Sequence, residues 1–249
     1  MRYITFTNKG SLEICKNMLV SAGNVGVDNI TVYTLDEESY NQLQDYNCKL
    51  ERFESDVNEE YHSYGSTEFK TLMTYKLNII LKNISESDED FVYMDCDMVF
   101  LKNPNEVLRH LVSVVEGDYN LNIAFSSDAL TEQREDAKLC AGFMYIKPND
   151  KTKEFIEKTL QLSMMSIQDG NPDTCDQIMM RNIISSSQVE NFTHVVFPIN
   201  FITNGHFYFS EKIRRDEFIV HCNYKVGTHE KLMHMKEANI WYLPEKMEV

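Results

Sequence analysis

Apolar residues recur along this chain in two alternating rhythms. RYITFT at 2–7 and TVYTL at 31–35 are short apolar runs that read as strands. Between them SLEICKNMLVSAG at 11–23 repeats its apolar residues at helical spacing and stops at Gly23. EESYNQLQDY predicts a short helix. The clearest amphipathic helix covers 67–84, with Phe69, Leu72, Met73, Leu77, Ile80, Leu81 and Ile84 as its apolar stripe. A strand follows at 91–94, and Asn103-Pro104-Asn105-Glu106 has the form of a helix start, with Asn as cap and Pro in the first position. Further strands are expected at 121–126, 142–147, 193–197 and 217–221. Further helices are expected near 151–165, at 174–185 with Asp173 as cap, and near 229–238. This alternation predicts an α/β fold with a mostly parallel sheet flanked by helices. No repeat or Pro/Gly-rich linker interrupts the chain, which reads as one domain over 1–249.

Several charged residues break the pattern. FVYMDCDMVF, residues 91–100, carries Asp95 and Asp97 at the carboxyl end of an apolar strand, where ligands of parallel sheets bind. Two carboxylates so placed repel each other and are costly to desolvate, and a divalent cation, Mn²⁺ or Mg²⁺, relieves both costs. A solvated polar turn is the alternative, since D-x-D alone is a weak motif. Lys76 sits within the apolar stripe, so it either snorkels to water or meets an anion. His221 ends a strand, where a neutral imidazole would complete a metal shell begun by Asp97. Gly227 permits a tight turn, Thr228 is placed to cap the last helix, and Lys231 falls in its first turn. A cation is disfavoured at that helix end, so phosphate is expected beside it. Ala141-Gly142 allows close approach of a ligand to the backbone, or serves as a packing turn. Asp176 and Gln177 open a helix, where Asp176 either complements the dipole or reaches a substrate hydroxyl. His229 and His234 read as surface residues.

Composition narrows the classes. With 24 Lys+Arg against 39 Asp+Glu the net charge is −15, which disfavours nucleic acid and anionic membrane as partners. The six cysteines show no zinc-like spacing and read as reduced thiols. MRYITFTNKG enters a strand directly with no apolar leader, and no spanning segment follows. The expected compartment is therefore the cytoplasm, and the sequons at Asn29, Asn83 and Asn191 read as chance.

Five segments in order, VYMDCDMVFLKNP, CAGFMYIKP, PDTCDQIMM, VFPINFI and HCNYKVGTHEK, resemble the nucleotide-diphospho-sugar transferase family, glycosyltransferases of the GT-A fold. The resemblance runs from about Tyr3 to Trp241. It implies a donor-binding part over about 1–102, an acceptor-side part over about 103–249, and a nucleotide-sugar donor, expected to be a UDP-sugar. It implies Mn²⁺ (or Mg²⁺) held by Asp97 and His221, with Asp95 on the donor ribose and, through water, on the metal. Lys231 would neutralise the diphosphate, with Gly227 allowing its approach. Thr5, Thr7 and Asn8 would meet the base and ribose. Lys76, Ala141 and Gly142 would lie along the donor, and Asp176-Gln177 beside the donor sugar and a glycan or glycoprotein acceptor. Cys140-Ala141-Gly142 stands where such relatives often have Asn-Thr-Gly or Asn-Ser-Gly, and Phe100 where they often have Trp. The competing readings are a phosphatase of the haloacid-dehalogenase type and a non-catalytic nucleotide- or glycan-binding module. A sugar-1-phosphate nucleotidyltransferase would need a Gly-rich loop that NKGSLEI does not supply.

Overall fold

The computed structural model describes the chain except for residues 56–61, 63–64, 119, 131–137, 171–174, 211–215 and 245–249, and describes only the backbone of 118. In chain order the elements are β1 (Arg2–Thr7), a single 3₁₀ turn (Lys9–Ser11), α1 (Leu12–Asn24), β2 (Ile30–Thr34), α2 (Glu37–Gln42), β3 (Lys49–Arg52) and α3 (Thr67–Glu86). There follow β4 (Phe91–Met94), β5 (Met98–Phe100), α4 (Asn105–Asp118), β6 (Ile123–Ser127), β7 (Leu139–Ile146), α5 (Asp150–Gln168) and α6 (Asp176–Ser185). The chain closes with β8 (His194–Val196), β9 (Ile202–Asn204), α7 (Gly205–Ser210), β10 (Ile219–His221) and α8 (Thr228–Glu237).

Seven strands form the central sheet in the order β3-β2-β1-β4-β7-β6-β8. All described pairs are parallel except those of β7, which runs antiparallel to β4 and to β6. Every residue of β2, β4 and β7 is buried, as expected of strands covered by helices on both faces. On one face Tyr3, Val32, Val92 and Phe143 pack with Leu12, Cys15 and Met18 of α1 and Leu108 and Val112 of α4. On the other, Ile4, Tyr33, Tyr93 and Phe125 meet Leu77 and Ile80 of α3, Phe155 of α5 and Met180 of α6.

The second sheet was not expected from the pattern. It has three strands in the order β5-β10-β9 and packs Val99 and Val220 against Ile14, Met235 and Ile240. The run FVYMDCDMVF therefore serves two sheets, and the two aspartates mark the crossing from β4 to β5. β3, with the polar sequence KLER at the sheet edge, also escaped the apolar pattern.

Local chemistry explains most boundaries. Ser66 caps α3 by accepting from Phe69 N at 3.1 Å. Asn103 Oδ1 accepts from Asn105 N at 3.0 Å, where α4 begins one residue later than the expected Pro104. Two expectations are corrected or set aside here. Thr228 does not cap α8: it is the first helical residue, and its hydroxyl donates instead to Gly10 O at 2.9 Å. Asp173, expected as the cap of α6, lies outside the described residues, and the capping position falls on Cys175. All six cysteines are free. Asn83 of the second sequon is buried and donates to Tyr33 Oη. No described helix is long and apolar enough to cross a membrane.

Candidate active site

The carboxyl ends of β4 and β10 meet where the two sheets join. Asp95 and Asp97 follow β4, and His221 ends β10, whose neighbour Cys222 N donates to Asp97 O at 3.0 Å. That backbone bond brings residues 125 positions apart into one cluster. One ligand atom from each of Asp95, Asp97 and His221 lies within 4.8 Å of the others. His221 Nε2 is 3.3 Å from Asp97 Oδ1 and 3.8 Å from Asp95 Oδ2.

The histidine ring is tightly framed. Its Nδ1 is 3.7 Å from Cys140 Sγ, leaving Nε2 toward the carboxylates. Its Cε1 rests against Gly142, where an added Cβ would lie only 2.2 Å away. Gly142 cannot retreat easily, because its carbonyl accepts from Asp95 N at 2.7 Å. Gly142→Ala is therefore expected to push His221 out of the cluster. The expected outcome is about a 10–100-fold loss of any divalent-cation affinity of the cluster in a folded protein. A Mn²⁺ titration beside circular dichroism checks it, and unchanged affinity would contradict it.

Lysines balance the carboxylates. Lys231, in the first turn of α8, places Nζ 2.5 Å from Asp97 Oδ2. Lys76 is 2% exposed; its Nζ lies 2.9 Å from Asp176 Oδ2 and 3.6 Å from Asp95 Oδ1, and donates to Ala141 O at 2.7 Å. Of its two possible fates, then, Lys76 meets anions rather than water. Tyr93 Oη donates to Asp95 Oδ1 at 2.7 Å. Burial opposes ionisation of Asp97, yet the charges of Lys231 and His221 hold it well below the usual carboxylate range. Asp95 is shifted the other way, because burial and the charge of Asp97 outweigh Lys76. Burial would lower His221, but Asp97 raises it well above the usual histidine value. Cys96, between the aspartates, packs against the sheet core, and burial pushes its thiol up to about 12.

Lys76, Asp95, Asp97, His221 and Lys231 line a cleft of about 450 Å³ with Ala141, Gly142, Asp176 and Gln177. The lining also includes Phe69 and Met73 of α3, expected only as part of its apolar stripe, and two residues that the sequence had not singled out: Asp128 after β6 and Tyr224 in the loop before α8. Gln177 Oε1 accepts from Ala141 N, and its amide donates to Asp128 Oδ2 at 3.0 Å. Arg181, one turn along α6, and Tyr224 Oη also donate to Asp128. The only local signal for Asp128 was its place just past a strand end. Thr5, Thr7 and Asn8 do not line this cleft: Thr5 and Thr7 are buried in β1, and Asn8 precedes the 3₁₀ turn with its Oδ1 accepting from Ser11 Oγ. Gly227 lies just before α8 at φ +92° and is likewise not among the cleft residues.

Asp97 Oδ1 is buried and accepts no hydrogen bond, while it faces a ring nitrogen with no room to turn away. Two carboxylates and an imidazole suit Mn²⁺ or Mg²⁺, so the residues fit.

An α/β sheet with an acid–histidine cluster at its carboxyl edge has the architecture of the GT-A fold. The chain belongs to the nucleotide-diphospho-sugar transferase family, whose model matches residues 25–235. It is 22% identical, over 97% of its length, to UDP-galactose:fucoside alpha-3-galactosyltransferase of Dictyostelium discoideum, and it spans 43% of that protein. Its fold is similar to that of the galactosyltransferase LgtC, solved with donor and acceptor sugar analogs. The TM-score is 0.60 at 11% identity over 98% of each chain. An active-site mutant of LgtC matches at a TM-score of 0.57, with 10% identity over 98% of each chain.

Proposed function

We propose that the chain transfers a sugar from a UDP-sugar to a hydroxyl of a sugar acceptor, and that it needs a divalent cation, Mn²⁺ first, to do so. The observation that carries this reading is the buried Asp97 Oδ1, which lacks a hydrogen bond and lies within a cluster of Asp95, Asp97 and His221. Asp97 and His221 would hold the cation, with Asp95 on its edge toward the donor ribose. When bound, the cation supplies Lewis-acid stabilisation of the departing diphosphate. Galactose is the first donor sugar to test, because the Dictyostelium relative is named for UDP-galactose.

The chain's own residues do the rest. Lys231 lines the cleft and would stabilise charge as the diphosphate departs. Ala141 and Gly142 present backbone and no bulk along the donor, while Thr5, Thr7, Asn8 and Gly227 are proposed for its nucleotide end. Asp176, anchored by Lys76, and Gln177, anchored by Ala141 N and Asp128, would orient donor sugar and acceptor. Each cleft carboxylate is already engaged: Asp97 by Lys231, Asp176 by Lys76, Asp128 by Arg181, and Asp95 by Tyr93 and Lys76. The acceptor proton is therefore assigned to the leaving diphosphate, which accords with transfer with retention of configuration.

The family membership sets the phosphatase reading aside. Thermal melting with UDP-galactose and Mn²⁺ tests the donor and metal assignments together. At a hundredfold excess over the dissociation constant, binding is expected to raise the melting temperature by about 5–10 °C. No rise with any UDP-sugar would defeat the donor assignment. Mn²⁺-dependent hydrolysis of the donor separates an enzyme from a non-catalytic binder.

A further inference from the structure

Lys231 stands in two places at once. Donor chemistry asks for its ammonium beside a diphosphate, yet its Nζ is 2.5 Å from Asp97 Oδ2, on the carboxylate proposed to hold the cation. The other lysine of the cleft differs. Lys76 is sealed between Asp176 and Asp95 and donates to the Ala141 carbonyl, so it has no freedom to leave. Lys231 retains 18% of its side-chain exposure, lines the cleft and rides on the first turn of α8. Its long flexible stem lets the ammonium move while the helix stays fixed.

We propose that Lys231 is the resident counter-ion of Asp97, holding the carboxylate until a divalent cation takes its place, and then turns to the donor's diphosphate. The inference rests on the metal reading above. Asp95 and Asp97 are like charges sharing one cluster, and without a balancing cation their repulsion would spread the ligands apart. The ammonium keeps them gathered, at the cost of competing with the incoming ion. A cation arriving alone must displace Lys231 and leave it partly desolvated without an anion. A cation arriving with a nucleoside diphosphate gives that ammonium a new partner. The two ligands are thereby coupled, and each strengthens binding of the other.

The exchange predicts an effect of unusual sign: removing a basic residue from the donor site tightens binding of the metal alone. Calorimetric titration with Mn²⁺ and no nucleotide tests this on wild type, K231M, K231Q and K231R. The two neutral variants are expected to bind Mn²⁺ on the order of tenfold more tightly than wild type, whereas K231R, which keeps the charge, stays near it. Stripping Mn²⁺ with a chelator should lower the melting temperature of K231M and K231Q more than that of wild type. Equal or weaker Mn²⁺ binding by folded K231M and K231Q, with wild type binding measurably, overturns the exchange and leaves the metal reading standing. Failure of wild type and every variant to bind Mn²⁺, with or without UDP, overturns both.

Discussion

Asp97→Asn is expected to lower metal-dependent donor cleavage by about 10³-fold or more while the protein stays folded. The residue is 7% exposed: Lys231 sits at one carboxylate oxygen and His221 at the other, while its backbone carbonyl accepts from Cys222 N. Asparagine keeps the shape and the backbone bond but removes the charge. It also presents an amide nitrogen where the cluster needs a second anionic oxygen. Weakening the hold on a cation that would stabilise the leaving group has an effect of the size seen when preorganised electrostatic partners are removed. Lys231, partly exposed, relaxes toward water, so the stability cost is small. Donor hydrolysis measured across a Mn²⁺ titration, with circular dichroism as control, checks this. Near-normal hydrolysis at saturating Mn²⁺ would remove Asp97 from the site.

Lys76→Met should act on stability first. Its ammonium is buried among Asp176, Asp95 and the Ala141 carbonyl, and also lies 4.8 Å from the Tyr93 ring centroid. Burial disfavours its charged form, but Asp176 and Asp95 raise its pKa. Methionine would leave Asp176 a buried carboxylate without a cation. Breaking one side of a buried pair costs about 3–5 kcal/mol, or a fall in melting temperature of roughly 10 °C for a chain of this size. Adding Asp176→Asn to Lys76→Met should recover part of the loss, because the stranded charge is removed with its partner. A melting temperature within about 2 °C of wild type for the single variant would contradict the buried-pair account.

Much of this was visible along the chain because it depends on neighbours in sequence. The apolar runs of β1, β2, β4 and β7 and the stripe of α3 follow from burying one or both faces of an element. Asp95 and Asp97 stood out because charge at the end of a buried strand demands a partner, and Lys76 because a lysine had been placed in an apolar stripe. His221 was found by its position at a strand end. In each case the anomaly was local, and so was its warning.

The partners were not local. Lys76 meets Asp176, Lys231 meets Asp97, and Arg181 meets Asp128 only after β4, β7 and α6 have packed together. The second sheet escaped notice because β5 and β9 are too short to show a periodicity of their own, although a strand was expected where β10 lies. Thr228 left its expected cap for Gly10 O because a tertiary acceptor was within reach. Residue order alone tells which groups cannot remain unpaired. Which group satisfies each of them is a matter of distance and burial, and those exist only once the sheets have closed around the cleft.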